Sequence, residues 1–129
     1  MKQLTKAEEQ VMQILWNLKE GVIKEVVEGF EEPRPAYTTV ATVLKVLEKK
    51  GFVDHHTIGN VHQYYAKITK PEYTRVQFST LLKNYFNGSF PRMATFFARE
   101  NNLSMAELEE MLNITKDELK KGNPEMSES

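Results

Sequence analysis

The apolar residues of this chain change period twice, and that change limits the folds open to it. From Val11 to Leu47 they recur every three or four residues, the spacing of one helix face. After Gly51 the spacing becomes alternation. Between His62 and Ile68, Tyr64, Ala66 and Ile68 fall on one side of a strand, and Gln63, Tyr65 and Lys67 on the other. Helical spacing returns after Thr69-Lys70-Pro71-Glu72. A segment cannot satisfy both periods, so the order must be helices, a short sheet, then helices.

Breakers divide the first helical stretch. Thr5 and Glu8 form a capping box, and Val11, Ile14, Leu15 and Leu18 follow on one face, widened by Met12 and Trp16. Gly21 is the expected stop. Ile23, Val26, Val27 and Phe30 mark a second, shorter helix, which cannot continue through Glu31-Glu32-Pro33-Arg34-Pro35. In the third, Thr38 is the expected N-cap, Val40, Val43, Leu44 and Leu47 the buried face, and Gly51 the end. Phe52 to Ile58 and His62 to Ile68 then flank Gly59-Asn60, a hairpin turn signal. Three helices followed by a hairpin give a winged helix containing a helix-turn-helix.

Thr69 and Glu72 form a second capping box, with Pro71 in the first turn, opening a helix that runs to about Asn87. Its apolar residues Tyr73, Val76, Phe78, Leu81, Leu82, Tyr85 and Phe86 cover more than one stripe. Gly88-Ser89-Phe90-Pro91 breaks it. A short aromatic helix spans Met93 to Arg99, and Ser104 with Glu107 caps another that contains Leu108, Met111 and Leu112. The expected fold is mainly α with a small β-hairpin: a winged helix-turn-helix over 1–69, a helical dimerisation region over 70–121, and a polar, disordered tail over 122–129.

Composition removes several functions. The chain has no cysteine, so disulfides and thiolate chemistry are excluded. No glycine-rich phosphate loop, HExxH or Ser/His/Asp motif is present, and no enzyme activity or cofactor is expected. His55 and His56 are neighbours on one strand and cannot both face His62, so no metal site is expected either. No apolar run approaches membrane-spanning length and the first ten residues lack a signal-peptide core, which predicts a soluble, cytoplasmic protein. The 17 basic and 18 acidic residues nearly cancel, so any case for nucleic acid rests on local placement.

That placement is found on the third helix. Thr38, Thr39 and Thr42 stand at its leading end, where a helix-turn-helix presents residues to base edges. Their hydroxyls suit phosphates or bases and their methyls suit thymine. Lys45 and Lys49 follow at the same spacing, with Val46 between them, and no carboxylate lies on that face. Asn60 and His62, at and beside the hairpin tip, complete the candidate DNA-binding set.

The sequence resembles the penicillinase-repressor family of bacterial winged-helix regulators, the BlaI and MecI type. The carriers are LTKAEEQVMQILW at 4–16, AYTTVATVLKVLEKKGFV over about 36–53, YYAKIT at 64–69 and GSF at 88–90. The resemblance implies a homodimeric repressor whose winged helix binds inverted-repeat double-stranded operator DNA. Tyr73, Val76, Leu81, Leu82, Tyr85, Phe86, Leu108, Met111 and Leu112 would carry the dimer. It further implies that a membrane-bound sensor metalloprotease, responding to β-lactam, cuts the repressor in its C-terminal region, at the pair here occupied by Phe96-Phe97.

Three features depart from the family pattern. A basic residue is usual where Val46 stands. The wing tip, Gly59-Asn60-Val61-His62-Gln63, lacks the family's basic residue. The family's cleavage pair is Asn-Phe, of which only Phe97 is retained. Two other readings stand beside this one. The aromatics Tyr85, Phe86, Phe90, Phe96 and Phe97 could line a pocket for a small ligand that releases the repressor without cleavage. Alternatively, the winged helix is a protein-interaction module that never touches DNA.

Overall fold

The computed structural model describes residues 3–121. In chain order the elements are α1 (Lys6–Leu18), β1 (Glu20–Gly21), α2 (Ile23–Glu28), α3 (Tyr37–Lys49), β2 (Val53–Ile58), β3 (Val61–Ala66), α4 (Lys70–Phe86), α5 (Phe90–Glu100) and α6 (Met105–Lys120). The described residues fall into two compact units that divide inside α4, between Thr74 and Arg75. Among them no helix is long and apolar enough to cross a membrane.

The first unit is a winged helix. Its core is Val11, Met12, Leu15 and Trp16 of α1, Val26 of α2, Val40, Leu44 and Leu47 of α3, then Phe52, Val53, Tyr64 and Tyr73. All but Phe52, Val53 and Tyr73 are residues that the helical and alternating periods select. Tyr73, from the start of α4, inserts its ring between Trp16 and Phe52, with centroids 5.7 and 6.1 Å away. Its hydroxyl donates to Glu9 at 2.8 Å. Trp16 Nε1 donates to the carbonyl of Ile68 at 2.9 Å, which pins α1 to the end of the sheet.

The Thr5–Glu8 capping box forms at α1, with both reciprocal bonds present. The stop is not at Gly21, however. The chain turns at Lys19, whose φ is 73°. Gly21 instead lies in β1, which adds a third strand beside the hairpin: the order is β1-β3-β2, all antiparallel. The glycine eases a close approach, since a Cβ there would meet Leu18 Cδ1 at 3.1 Å and Glu25 Oε1 at 3.2 Å, and those side-chain ends would have to give by a few tenths of an ångström. A two-residue strand has no readable period, which is why alternation did not reveal it.

Helix α3 also begins earlier than its threonines suggest. The N-cap is Ala36, without a side-chain cap, and Thr38 is already inside the first turn. Burial of Val40, Leu44 and Leu47 sets the phase of the helix, and the amide of Val40 closes the first turn on the Ala36 carbonyl. Core packing here outweighs the capping preference of threonine. The other end is as the sequence indicates. Gly51 takes φ 86°, and the amides of Gly51 and Phe52 bond the carbonyls of Glu48 and Leu47, a Schellman ending. It reverses the chain so that β2 runs back beside the end of α3. The Gly59-Asn60 turn joins Ile58 to Val61, with Gly59 at φ 63°.

The second unit contains the rest of α4, then α5 and α6. Ser89 caps α5, and Ser104 with Glu107 forms the capping box of α6. Phe78 stacks near Phe90 and Phe86 near Phe96, at 6.3 and 5.6 Å between centroids. No side chain in the described part of this unit is buried. The tail expected to be disordered, 122–129, lies outside the described residues.

Candidate nucleic-acid interface

All six residues selected on α3, namely Thr38, Thr39, Thr42, Lys45, Val46 and Lys49, are exposed, as are Asn60 and His62 on the wing. The start of α3 differs chemically from the other long helices. In α1, α4 and α6 a glutamate in the first turn folds back onto the N-cap amide. The first turn of α3 carries no acidic residue and its N-cap has no side-chain bond. Its leading amides and the positive end of its dipole therefore face outward without a carboxylate to neutralise them, a setting that favours phosphate. The threonines fit this. Thr42 Oγ1 donates to the Thr38 carbonyl at 3.0 Å, so its proton is used on the helix while its methyl remains outward.

Two hollows flank this face. On one side Thr39, Val40 and Val43 border a hollow with Ala7, Gln10 and the Gly29–Pro35 connection. On the other, Lys45, Glu48 and Lys49 of α3 face His55, His62 and Tyr64 of the sheet across an open cleft of about 530 Å³. The structure thus brings Lys45, Lys49 and His62 together from α3 and β3, although they are far apart in sequence. Asn60 stands apart from that cleft, at the tip of the wing.

The histidines divide as strand geometry requires. His55 faces His62, with ring centroids 4.1 Å apart, and both lie near Tyr64. His56 is on the other face, stacked on Tyr65 at 4.8 Å and 3.4 Å from Glu20. His62 Nδ1 lies 3.0 Å from the Thr57 hydroxyl. Burial pushes the Tyr64 hydroxyl above its ordinary pKa, and the Glu48 and Tyr37 charges add to this, so Tyr64 stays protonated.

One constellation here has no counterpart in the sequence pattern. Glu48, Asp54 and His55 each place a possible ligand atom within 4.8 Å of the others. Alternation along the strands relates only His55, His56 and His62 to one another. Glu48 reads as a residue at the side of the α3 face, and nothing local in sequence joins it to a strand seven residues on. The Gly51 reversal was the available signal, because it folds the start of β2 against the last turn of α3.

A sequence model of the family described as Penicillinase repressor matches residues 4–117. The chain belongs to the penicillinase repressor family. It is 29% identical over 113 residues to a penicillinase repressor of Bacillus licheniformis, covering 87% of this chain and 88% of that protein. It is 26% identical, over 87% of this chain and 92% of the relative, to a methicillin resistance regulatory protein MecI of Mammaliicoccus sciuri. A penicillinase repressor of Staphylococcus aureus is 25% identical over 120 residues, which is 92% of this chain and 95% of that protein.

Among the residues where this chain departs from the penicillinase repressor pattern, Val46 is partly exposed (37%) between Lys45 and Lys49 and so offers an apolar contact within a basic face. Phe96 and Phe97 are both about half exposed, but their peptide bond lies inside α5. Of the residues assigned to dimerisation, Leu81, Tyr85, Met111 and Leu112 are exposed and Val76, Leu82, Phe86 and Leu108 half-buried. Tyr73 does not stand with them. It is spent inside the first unit, because its ring fills the gap between Trp16 and Phe52.

Proposed function

We propose that this chain is a homodimeric transcriptional repressor that binds an inverted-repeat operator in double-stranded DNA, with α3 in the major groove. The observation that carries this reading is the carboxylate-free leading face of α3, Thr38, Thr39 and Thr42, continued by Lys45 and Lys49 into a cleft shared with His62. Family membership supports it, as do the repressor names of the relatives. The wing would lie along the backbone, contributing Asn60 and His62. The dimer is supported by the second unit, among whose described residues no apolar side chain is fully buried; a second copy would cover them.

The regulated trait suggested by the relatives' names is resistance to β-lactams, in a cytoplasmic protein. Relief by a membrane-bound metalloprotease at Phe96-Phe97 requires α5 to unwind locally, since a protease takes its substrate extended and this bond is helical. A second reading, release by a small ligand without cleavage, is favoured by a hollow lined by Tyr85, Phe86 and Phe96 within the second unit.

Fluorescence anisotropy with the protein's own upstream DNA tests the proposal. A saturable complex of two chains per site, weakening steeply with salt, is expected. Thr39→Ala with Lys45→Ala should abolish specific binding, and Lys45→Ala alone should lower the salt slope by about 1. Binding no better than to random DNA at low salt leaves only the interaction-module reading. Cleavage assays on the induced protein then separate protease from ligand release.

A further inference from the structure

We propose that Glu48, Asp54 and His55 form a site for a divalent transition-metal cation of the zinc type, set where α3 meets the wing. The existence of the site does not depend on the repressor reading; only its effect on DNA rests on that reading.

The geometry comes first. Glu48 Oε1 and His55 Nδ1 are already 3.0 Å apart. Two ligands on a tetrahedral zinc at roughly 2.0–2.1 Å stand about 3.4 Å from each other. Asp54 brings a carboxylate oxygen within 4.8 Å of both, so small side-chain rotations close the set. Asp54 Oδ1 accepts the His55 amide at 2.8 Å, which holds that carboxylate folded toward its neighbour rather than across the sheet. Because β2 is an edge strand, Asp54 can reach around it. The three side chains are all half-buried and come from a helix end and a strand joined by the fixed Gly51 turn, so the site is largely formed before a cation arrives.

The donors choose the cation. One imidazole with two carboxylates suits zinc and its first-row neighbours. Calcium and magnesium take oxygen ligands and gain little from an imidazole. The chain has no thiolate, which removes the soft-metal alternatives. Charge supports occupancy as well. Glu48 Oε1 contacts His55 Nδ1 and forms no ion pair with Lys45 or Lys49, although both lysines line the same cleft. The Glu48 carboxylate, with that of Asp54 within 4.8 Å of it, thus stands in a cleft otherwise lined by Lys45, Lys49, His55, His62 and Tyr64. A divalent cation cancels their charge at the edge of the proposed DNA face. Metal binding therefore strengthens attraction for phosphate and ties α3 to the wing, which makes the cation a corepressor.

Calorimetric titration of the full chain, stripped with chelator, against zinc chloride tests the site. One zinc per chain is expected. His55→Ala and Glu48→Gln should each weaken binding about tenfold or more. His56→Ala, on the opposite face, should leave it unchanged, with circular dichroism checking that all variants are folded. X-ray absorption of the loaded protein should show only nitrogen and oxygen ligands. Absence of saturable binding, or equal binding by His55→Ala, overturns the site. Anisotropy then reads the coupling: zinc should tighten operator binding by the parent and not by His55→Ala, while Glu48→Gln without zinc should bind more tightly than the zinc-free parent. Zinc that binds yet leaves DNA affinity unchanged overturns the corepressor role. If no variant binds DNA under any condition, the repressor reading fails and the calorimetry still decides the site.

Discussion

The two units of this chain solve the burial problem differently. The first, up to Thr74, closes its own core, with Met12, Leu15, Val26, Leu44 and Leu47 fully shielded from solvent. Around it, among the described residues, no buried side-chain polar atom lacks a hydrogen-bond partner. The second, from Arg75, buries none of its described side chains completely and leaves Phe78, Leu81, Phe90, Phe96, Met111 and Leu112 exposed. Both have comparable apolar content along their helices. The difference lies in arrangement: three helices and a sheet enclose a volume, whereas α4, α5 and α6 present faces. The contrast teaches that the first unit closes a core within one chain, while the described apolar side chains of the second stay partly or wholly open to solvent.

The largest effect should come from breaking the closed core. Leu44→Ala is expected to cost about 2–5 kcal/mol. Chemical denaturation followed by tryptophan fluorescence would read it directly at Trp16. A loss below about 1 kcal/mol would mean that the first unit is not closed as described. The matching change in the second unit, Leu81→Glu with Leu112→Glu, should barely alter that fluorescence transition. It should instead weaken self-association about a hundredfold, near 2.7 kcal/mol, by sedimentation equilibrium. Equal self-association by parent and variant would place the dimer elsewhere.

Next is the Glu8–Lys50 pair, at 2.7 Å and largely buried, which ties α1 to the end of α3. Lys50→Met leaves the carboxylate without its partner and should cost about 2 kcal/mol at neutral pH. Its pH dependence has a definite sign. Burial raises the Glu8 pKa, but the Lys50 hydrogen bond and charge and the Thr5 amide and hydroxyl outweigh it, and the net shift is downward. The unfolded state therefore binds the proton more readily, so this stability is present above the ordinary glutamate range and lost as pH falls through it. Acid titration of the melting temperature should show the parent losing more than Lys50→Met below about pH 4.5. The smallest effect is Tyr73→Phe, which removes the bond to Glu9 but keeps the ring, and should cost about 1 kcal/mol. If the same change abolished self-association, Tyr73 would have to be returned to the dimer set.

Much of the first unit was legible in the sequence because its signals are local. Thr5 with Glu8, Gly51, and Gly59-Asn60 each act through hydrogen bonds or dihedral angles within a few residues, and each occurs where the sequence indicates. The core positions of α1 and α3 follow from period alone. The exposed threonine and lysine face of α3 follows from the same period, read from the opposite side.

The sequence by itself determined the kinds of element, their order and the polar face of α3, because capping, turn chemistry and helical period are set by neighbours along the chain. Tertiary structure alone decided the rest. It gave Gly21 to a third strand, moved the start of α3 to Ala36, drew Tyr73 into the core, and set Glu48 beside Asp54 and His55. Each of those outcomes depends on which surfaces meet once the chain reverses at Lys19 and Gly51, and distance across a reversal is not encoded in local spacing.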